Sequence, residues 1–309
     1  MPSKARIALL VPTHFQGEMP SPGEFIDWFK AAEELGFDSI WVLDRIFSSS
    51  KVLDAMMVMA WASGVTSRVR LGTGVLLLPY RNPILLAREV ATVDYMSGGR
   101  VDLGIGLGGR ESEFVAFGMQ ISERVKRFRD NLAAMRALWS GSNVTYEGRY
   151  HKFEDANVEP HPVQKGGIPI WIGGEAEGVL KRTAELADGW IGGARNDPQM
   201  LGEKIGKIKD YARARGRDAE SLSFGSLEYM TLDEDVERAR DHMHSLTSSV
   251  YGPNFDTGGS ATFGPPEVCI ARLQAVIDAG CTEVIVCPPD LSIGQITRVA
   301  EEVAPKLKR

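Results

Sequence analysis

Strand-like and helix-like segments alternate along nearly the whole chain, and this alternation is the tightest constraint on its fold. Short aliphatic or β-branched runs occupy Arg6–Pro12, Asp38–Leu43, Arg70–Leu78, Arg100–Leu107, Ile168–Gly174, Gly189–Gly193, Ser221–Leu232 and Glu283–Pro288. Helical patterns separate them. Ser21-Pro-Gly-Glu24 is a capping box with proline in the first turn, Phe25, Phe29, Ala32 and Leu35 share a face, and Gly36 ends that helix. Asn82-Pro83 opens another helix carrying Leu86, Val90 and Val93. Further helices are predicted at 54–66, 123–139, 198–215 and 233–248, and after Pro265-Pro266-Glu267. Eight such strands in sequence predict an α/β fold, a (β/α)8 barrel. No Pro/Ser-rich linker divides the chain, so residues 1–309 read as a single domain with insertions. One insertion is a hairpin over Val144–Phe153 turning at Glu147-Gly148. Another is the glycine- and serine-rich stretch Val250–Pro266, expected to be a long loop or lid after strand seven.

Several strands end in glycine. Leu71-Gly-Thr-Gly-Val75 and Leu103-Gly-Ile-Gly-Leu-Gly-Gly109 lose their side chains where a barrel binds its ligands, at the carboxyl ends of the strands. Glycine there permits close approach of another backbone or of a flat ligand. Gly104 to Gly109 matches G-x-G-x-x-G literally, but no strand-end acid follows at the spacing a dinucleotide fold needs, since Asp130 falls in a helix. Close packing, with Gly106 beneath a ligand, or plain turn chemistry is the better reading. Gly173-Gly174-Glu175 and Gly192-Gly193-Ala194-Arg195 are consecutive late strand ends, the usual place for a barrel phosphate site. Arg195 would supply the counter-charge; Glu175 would have to point away. Asp44-Arg45 and His14 also stand at predicted strand ends and are the candidates for ligand contact and proton transfer.

Charge and cysteine usage narrow the function. The net charge of −6 leaves no nucleic-acid footprint. Cys269, Cys281 and Cys287 have no paired metal spacing and read as buried thiols of a reducing compartment. His242 and His244 fall on different sides of a helix, so no metal site is expected. The first strand begins at Arg6, with no signal peptide or membrane-length apolar run, which makes cytoplasm the expected location. Asp54–Ala62 is apolar nearly all round. Met56, Met57, Met59 and Trp61 cannot all face the strands, and the surplus predicts a homodimer or higher homo-oligomer.

Taken together, Gly36–Asp44, Leu71–Val75, Asn82-Pro83, Ser97–Arg100, Leu103–Gly106, Pro169–Gly174 and Ala187–Trp190 resemble the bacterial luciferase-like superfamily, in order and over nearly the whole chain. That resemblance implies a (β/α)8 barrel using the deazaflavin coenzyme F420 or FMN. It implies a bulge at Gly74-Val75, often with a non-proline cis peptide, pressed against the ring. Gly173-Gly174 and Gly192–Arg195 would hold the phosphate, and Asp44 would stand beside the ring. Where many members carry histidine next, this chain has Arg45, which stays protonated and cannot act as a base. The acidic position of the family's sugar-phosphate dehydrogenases falls on Gly109, with Glu111 and Glu113 nearby, so that substrate class is not expected. The stretch Val163–Gly174 favours the deazaflavin branch. The expected activity is hydride transfer between F420 and a small organic substrate. An FMN-dependent monooxygenase and a non-catalytic flavin-binding barrel are the alternatives.

Overall fold

A computed structural model of the chain describes residues 5–193 and 197–308. Eight parallel strands close into a barrel: β1 (Arg6–Leu10), β2 (Ser39–Val42), β3 (Arg70–Thr73), β4 (Val101–Gly106), β5 (Ile170–Gly173), β6 (Gly189–Gly192), β7 (Ser223–Leu232) and β8 (Glu283–Cys287). Each pairs with its sequence neighbours, and β8 returns to β1 in the register Arg6↔Glu283 and Leu9↔Val286. The helices are α1 (Pro22–Glu34), α2 (Ala55–Val65), α3 (Pro83–Ser97), α4 (Glu111–Ala116), α5 (Arg124–Trp139), α6 (Glu177–Leu186), α7 (Pro198–Arg213), α8 (Val236–Tyr251), α9 (Pro266–Asp278) and α10 (Ile293–Arg298). The caps read from sequence form as expected. Ser21 and Glu24 make the reciprocal capping box of α1, and Asn82 accepts from the N–H groups of Ile84 and Leu85.

Burial on both faces of the strands divides the core into two layers. Ile7, Leu9, Ile40, Val42, Leu103 and Ile105 pack outward against the helices. Ala8, Leu10, Trp41, Trp171, Ile191, Leu227, Tyr229 and Ile285 fill the barrel itself. Trp41 and Trp171 meet edge to face at 5.3 Å between centroids. Two strand glycines make room for them: an added β-carbon at Gly72 would lie 2.4 Å from the Trp41 ring, and one at Gly189 2.4 Å from the Trp171 ring.

Three expectations need correction. Strand three does not run unbroken to Leu78. Its ladder stops at Thr73, the Gly74–Val75 peptide is cis, and pairing with β4 resumes at Leu76–Leu77 before a single turn over Leu78–Tyr80. The segment after strand seven is not all loop. α8 continues to Tyr251, and Ala261–Gly264 adds a parallel strand beside Tyr229–Leu232, the overhang of the ten-residue β7. In the hairpin the strands pair Glu147↔Lys152, so its turn spans residues 148–151. Asp130 of α5 accepts from the N–H groups of Arg149 and Tyr150 and fixes that turn. Of the apolar residues of α2, part is absorbed within the chain and part stays at the surface beside Leu85 and Met96 of α3. Met56 and Met59 are buried, Trp61 packs on Phe25 and Phe29, and Met57 alone of the four stands 62% exposed.

The three cysteines are free and buried. His242 pairs with Asp290 at 3.0 Å, and His244 with Thr257 at 2.9 Å. Among the described residues no helix is long and apolar enough to cross a membrane.

Candidate active site

At the carboxyl ends of the strands lies a cleft of two lobes, which share Gly74, Val75, Leu77, Gly108 and Leu227 as common wall. The Val75 side chain is the floor between them. It is wedged against two strand glycines: an added β-carbon at Gly106 or at Gly173 would lie 2.6 Å from a Val75 methyl. Those two glycines are therefore required by the chain's own packing, and they act on the cleft by fixing the valine.

The first lobe, of about 270 Å³, gathers the candidate catalytic residues His14, Asp44 and Arg45. His14 lies in a two-residue strand, His14–Phe15, that pairs antiparallel with Lys51–Val52. It is buried, its Nδ1 is 3.3 Å from Thr13 Oγ1, and its Nε2 has no partner. Burial, aided by the charge of Arg45, pushes its pKa down to about 4, so the imidazole is neutral at pH 7. Asp44 is placed differently from a free acid. One carboxylate oxygen accepts from Leu77 N at 2.9 Å and the other from Arg81 Nη2 at 2.9 Å. Burial lifts its pKa, while Arg81 and the Leu77 amide pull it back. The side chain thus ties the end of strand two to the resumed strand three. Arg45 donates to the carbonyl of Val250 at the last turn of α8.

Glu113, Arg110 and Tyr251 complete the lobe, and sequence reasoning did not select them. Glu113 is 2% exposed and accepts weakly from Phe47 N at 3.5 Å, while Arg110 donates to Phe47 O at 3.1 Å. The short helix α4 thereby brings into the cleft the carboxyl that Gly109 lacks. Proximity to the end of strand four was the available signal; side-chain direction was not. Tyr251 arrives from the segment expected to be a lid, and its hydroxyl meets Tyr229 Oη at 3.1 Å.

The second lobe, of about 460 Å³, is lined by Gly106, Gly173, Gly174, Glu175, Gly192 and Gly193, all expected there. Ala194 and Arg195 lie outside the described residues. Gly174 has φ +119°, a conformation that favours glycine, although an added β-carbon would only touch Val179, at 3.5 Å. Glu175 does not leave the lobe: one carboxylate oxygen pairs with Lys204 at 2.9 Å, while the other lies 3.1 Å from the β-carbon position of Gly193, so its charge is offset by Lys204 and not removed. Trp190 Nε1 fixes the turn by donating to Gly174 O at 2.8 Å. Helix α6 begins here on Ala176, with no side-chain cap, which leaves first-turn N–H groups and the positive end of the helix dipole at the lobe. Its Glu177 is drawn away to Tyr211, Lys181 and Lys207. Arg124, from the start of α5, is the described cation of this lobe, and it too was missed.

The geometry suits a group with a flat, largely apolar body and an anionic end. Val75, Leu227 and Ile191 offer apolar contact, while bare glycine backbone, an uncapped helix and Arg124 receive negative charge.

Comparison with known proteins places the chain in a family. Residues 5–257 match the family described as luciferase-like monooxygenase. Over 94% of this chain and 95% of the relative, the sequence is 29% identical to an F420-dependent glucose-6-phosphate dehydrogenase of Kineococcus radiotolerans. Among solved structures, an F420-dependent secondary alcohol dehydrogenase in complex with an F420–acetone adduct superposes with a TM-score of 0.86 at 20% identity, covering 99% of this chain and 100% of that one. The monooxygenase RslO1 from Streptomyces bottropensis gives 0.84 at 23% identity, covering 97% and 99%.

Proposed function

From the premise that this chain belongs to the luciferase-like monooxygenase family, we propose that it is an F420-dependent oxidoreductase moving hydride between the coenzyme and a small organic substrate. The observation that carries the reading is the continuity of the two lobes across Val75. An anion-receiving lobe adjoins a lobe that holds titratable groups, as a substrate-oxidising or -reducing ring site requires. When bound, the deazaflavin supplies the hydride-accepting or -donating carbon.

The chain's own residues would do the rest. Val75, set on Gly106 and Gly173, supports one face of the ring. The backbone of Gly174, Glu175, Gly192 and Gly193, with Arg124, receives the phosphate end, the Glu175 carboxylate being offset by Lys204, and Ala194 and Arg195 follow next in the sequence. Asp44 is a positioning residue, since both its oxygens are engaged in holding the floor. Arg45 keeps a fixed positive charge against anionic character of ring or substrate. Proton exchange falls to His14 Nε2, held neutral and unpartnered, with the Glu113 carboxyl in the same lobe. The glucose-6-phosphate relative and the carboxyl of Glu113 restore sugar phosphates to the substrates worth assaying.

Titration of the purified protein with F420 and with FMN, followed by anaerobic turnover on a panel of alcohols, aldehydes and sugar phosphates, tests this. We expect F420 to bind and to change redox state without oxygen being consumed. Stoichiometric oxygen uptake with reduced FMN would replace the reading with a monooxygenase. Tight cofactor binding with no turnover on any substrate would leave a binding protein.

A further inference from the structure

Arg182, on α6, is only 7% exposed, yet its guanidinium makes no hydrogen bond or salt bridge among the described residues, and its Nε is fully enclosed. It rests over the Phe128 ring at 6.0 Å. Its charged neighbours are mostly cations. Burial and the charges of Arg129 and Arg124 push its pKa down, and the nearby Glu185 is held by Arg129 through two contacts of 2.8 Å. Arg100, buried to the same degree, shows how this chain treats an arginine meant only for structure. Its guanidinium donates to the carbonyls of Ser63, Thr66, Val69 and Ser97 and to the Thr66 hydroxyl. A buried charge without such partners is costly, and it persists where an anion is to be met.

The position of Arg182 says where that anion would lie. Helical side chains lean back toward the N-terminus. Arg182 Nη1 accordingly sits 3.6 Å from the β-carbon position of Gly178, beside the first turn of α6. That turn has no side-chain cap, and Ala176 and Arg124 both line the second lobe. We propose that Arg182, Arg124 and the first turn of α6 form a subsite for a second anionic group of the cofactor, beyond the phosphate at the glycine loops: a carboxylate of the acidic tail that F420 carries and FMN lacks. The proposal rests on the F420 reading above and adds to it a means of telling the two cofactors apart.

The test compares Arg182→Met with the wild-type protein in fluorescence titrations with F420, with deazaflavin lacking the glutamyl tail, and with FMN. We expect the variant to bind F420 more than about tenfold more weakly, with the other two affinities changed by less than about twofold. Its unliganded form should melt no lower than wild type, because the charge it loses had no partner. Arg182→Lys keeps the charge and should recover part of the affinity, which covers the case of a poorly folding methionine variant. Unchanged F420 affinity, or an equal loss for all three ligands, would overturn the subsite. If the wild-type protein binds no F420, the functional reading itself fails, and melting curves then judge the subsite alone. A short γ-linked glutamate peptide should stabilise the wild type and leave Arg182→Met unmoved; no stabilisation of the wild type would overturn it.

Discussion

At the closed end of the barrel, interior carboxylates and arginines are matched, whereas around the open end Arg182 holds no anion and His14 Nε2 no hydrogen-bond partner. Glu283 pairs with Arg6 and accepts from Ser39 Oγ and Trp41 Nε1, the latter at 2.8 Å. Asp102 holds Arg70 through contacts of 2.6 and 2.9 Å. Both ends bury polar groups at similar depth, so burial alone does not mark function. Satisfaction does: the closed end has settled its charges internally, while the open end has kept some for a ligand.

Three experiments would break or sharpen this contrast. The largest effect should come from the closed end. Glu283→Ala leaves Arg6 and the Ser39 hydroxyl without their carboxylate partner, while the Trp41 indole keeps its bond to Ser39 Oγ at 2.8 Å, and removing one member of such a pair costs about 4 kcal/mol. Urea unfolding would measure it; a loss below about 1 kcal/mol would mean that the closed-end pairing is incidental. At the open end the damage should fall on turnover instead. Arg45→Ala is expected to lower kcat on the order of 100-fold, about 3 kcal/mol, with cofactor affinity nearly unchanged. Arg45→Lys should recover only part, because lysine lacks the planar fork. An equal fall in affinity would turn Arg45 into a binding residue.

The smallest effect is a pH dependence. Unfolded, His14 titrates near the ordinary value of about 6.5; folded, it does so only at about 4. Between those values the unfolded chain binds a proton that the folded chain refuses, so stability falls as pH drops, by about 1.4 kcal/mol per pH unit. His14→Gln should flatten that slope. Unfolding midpoints at neutral pH and near pH 5.5 would show it; parallel slopes in the two proteins would place the unpartnered nitrogen in contact with water.

The barrel was legible because it rests on local signals. Strand runs, the Ser21–Glu24 box and the Asn82-Pro83 cap each specify their element through near neighbours. The glycine-rich strand ends were legible as places of close approach, but not as to what approaches. Gly72 yields to Trp41, Gly189 to Trp171, and Gly106 and Gly173 to Val75, partners set by the stagger of the closed sheet rather than by spacing along the chain. The same limit hid Arg124 and left the direction of Glu113 open, since both reach the cleft through the geometry of helix starts. The strand at Ala261–Gly264 escaped because it has no partner except the overhang of β7, and a four-residue segment among glycines and serines shows no period.

The wedge of Val75 between Gly106 and Gly173 also bears on how this cleft can drift in evolution. Neither glycine can gain a side chain while valine stays, since each would collide with a methyl at 2.6 Å. A smaller residue at 75 would release both glycines at once but would lower the floor shared by the two lobes. The three positions, one in the break of strand three and the others at the ends of β4 and β5, thus constrain one another sterically. The loops around them can vary one residue at a time, while the floor shared by the two lobes changes only by coordinated steps.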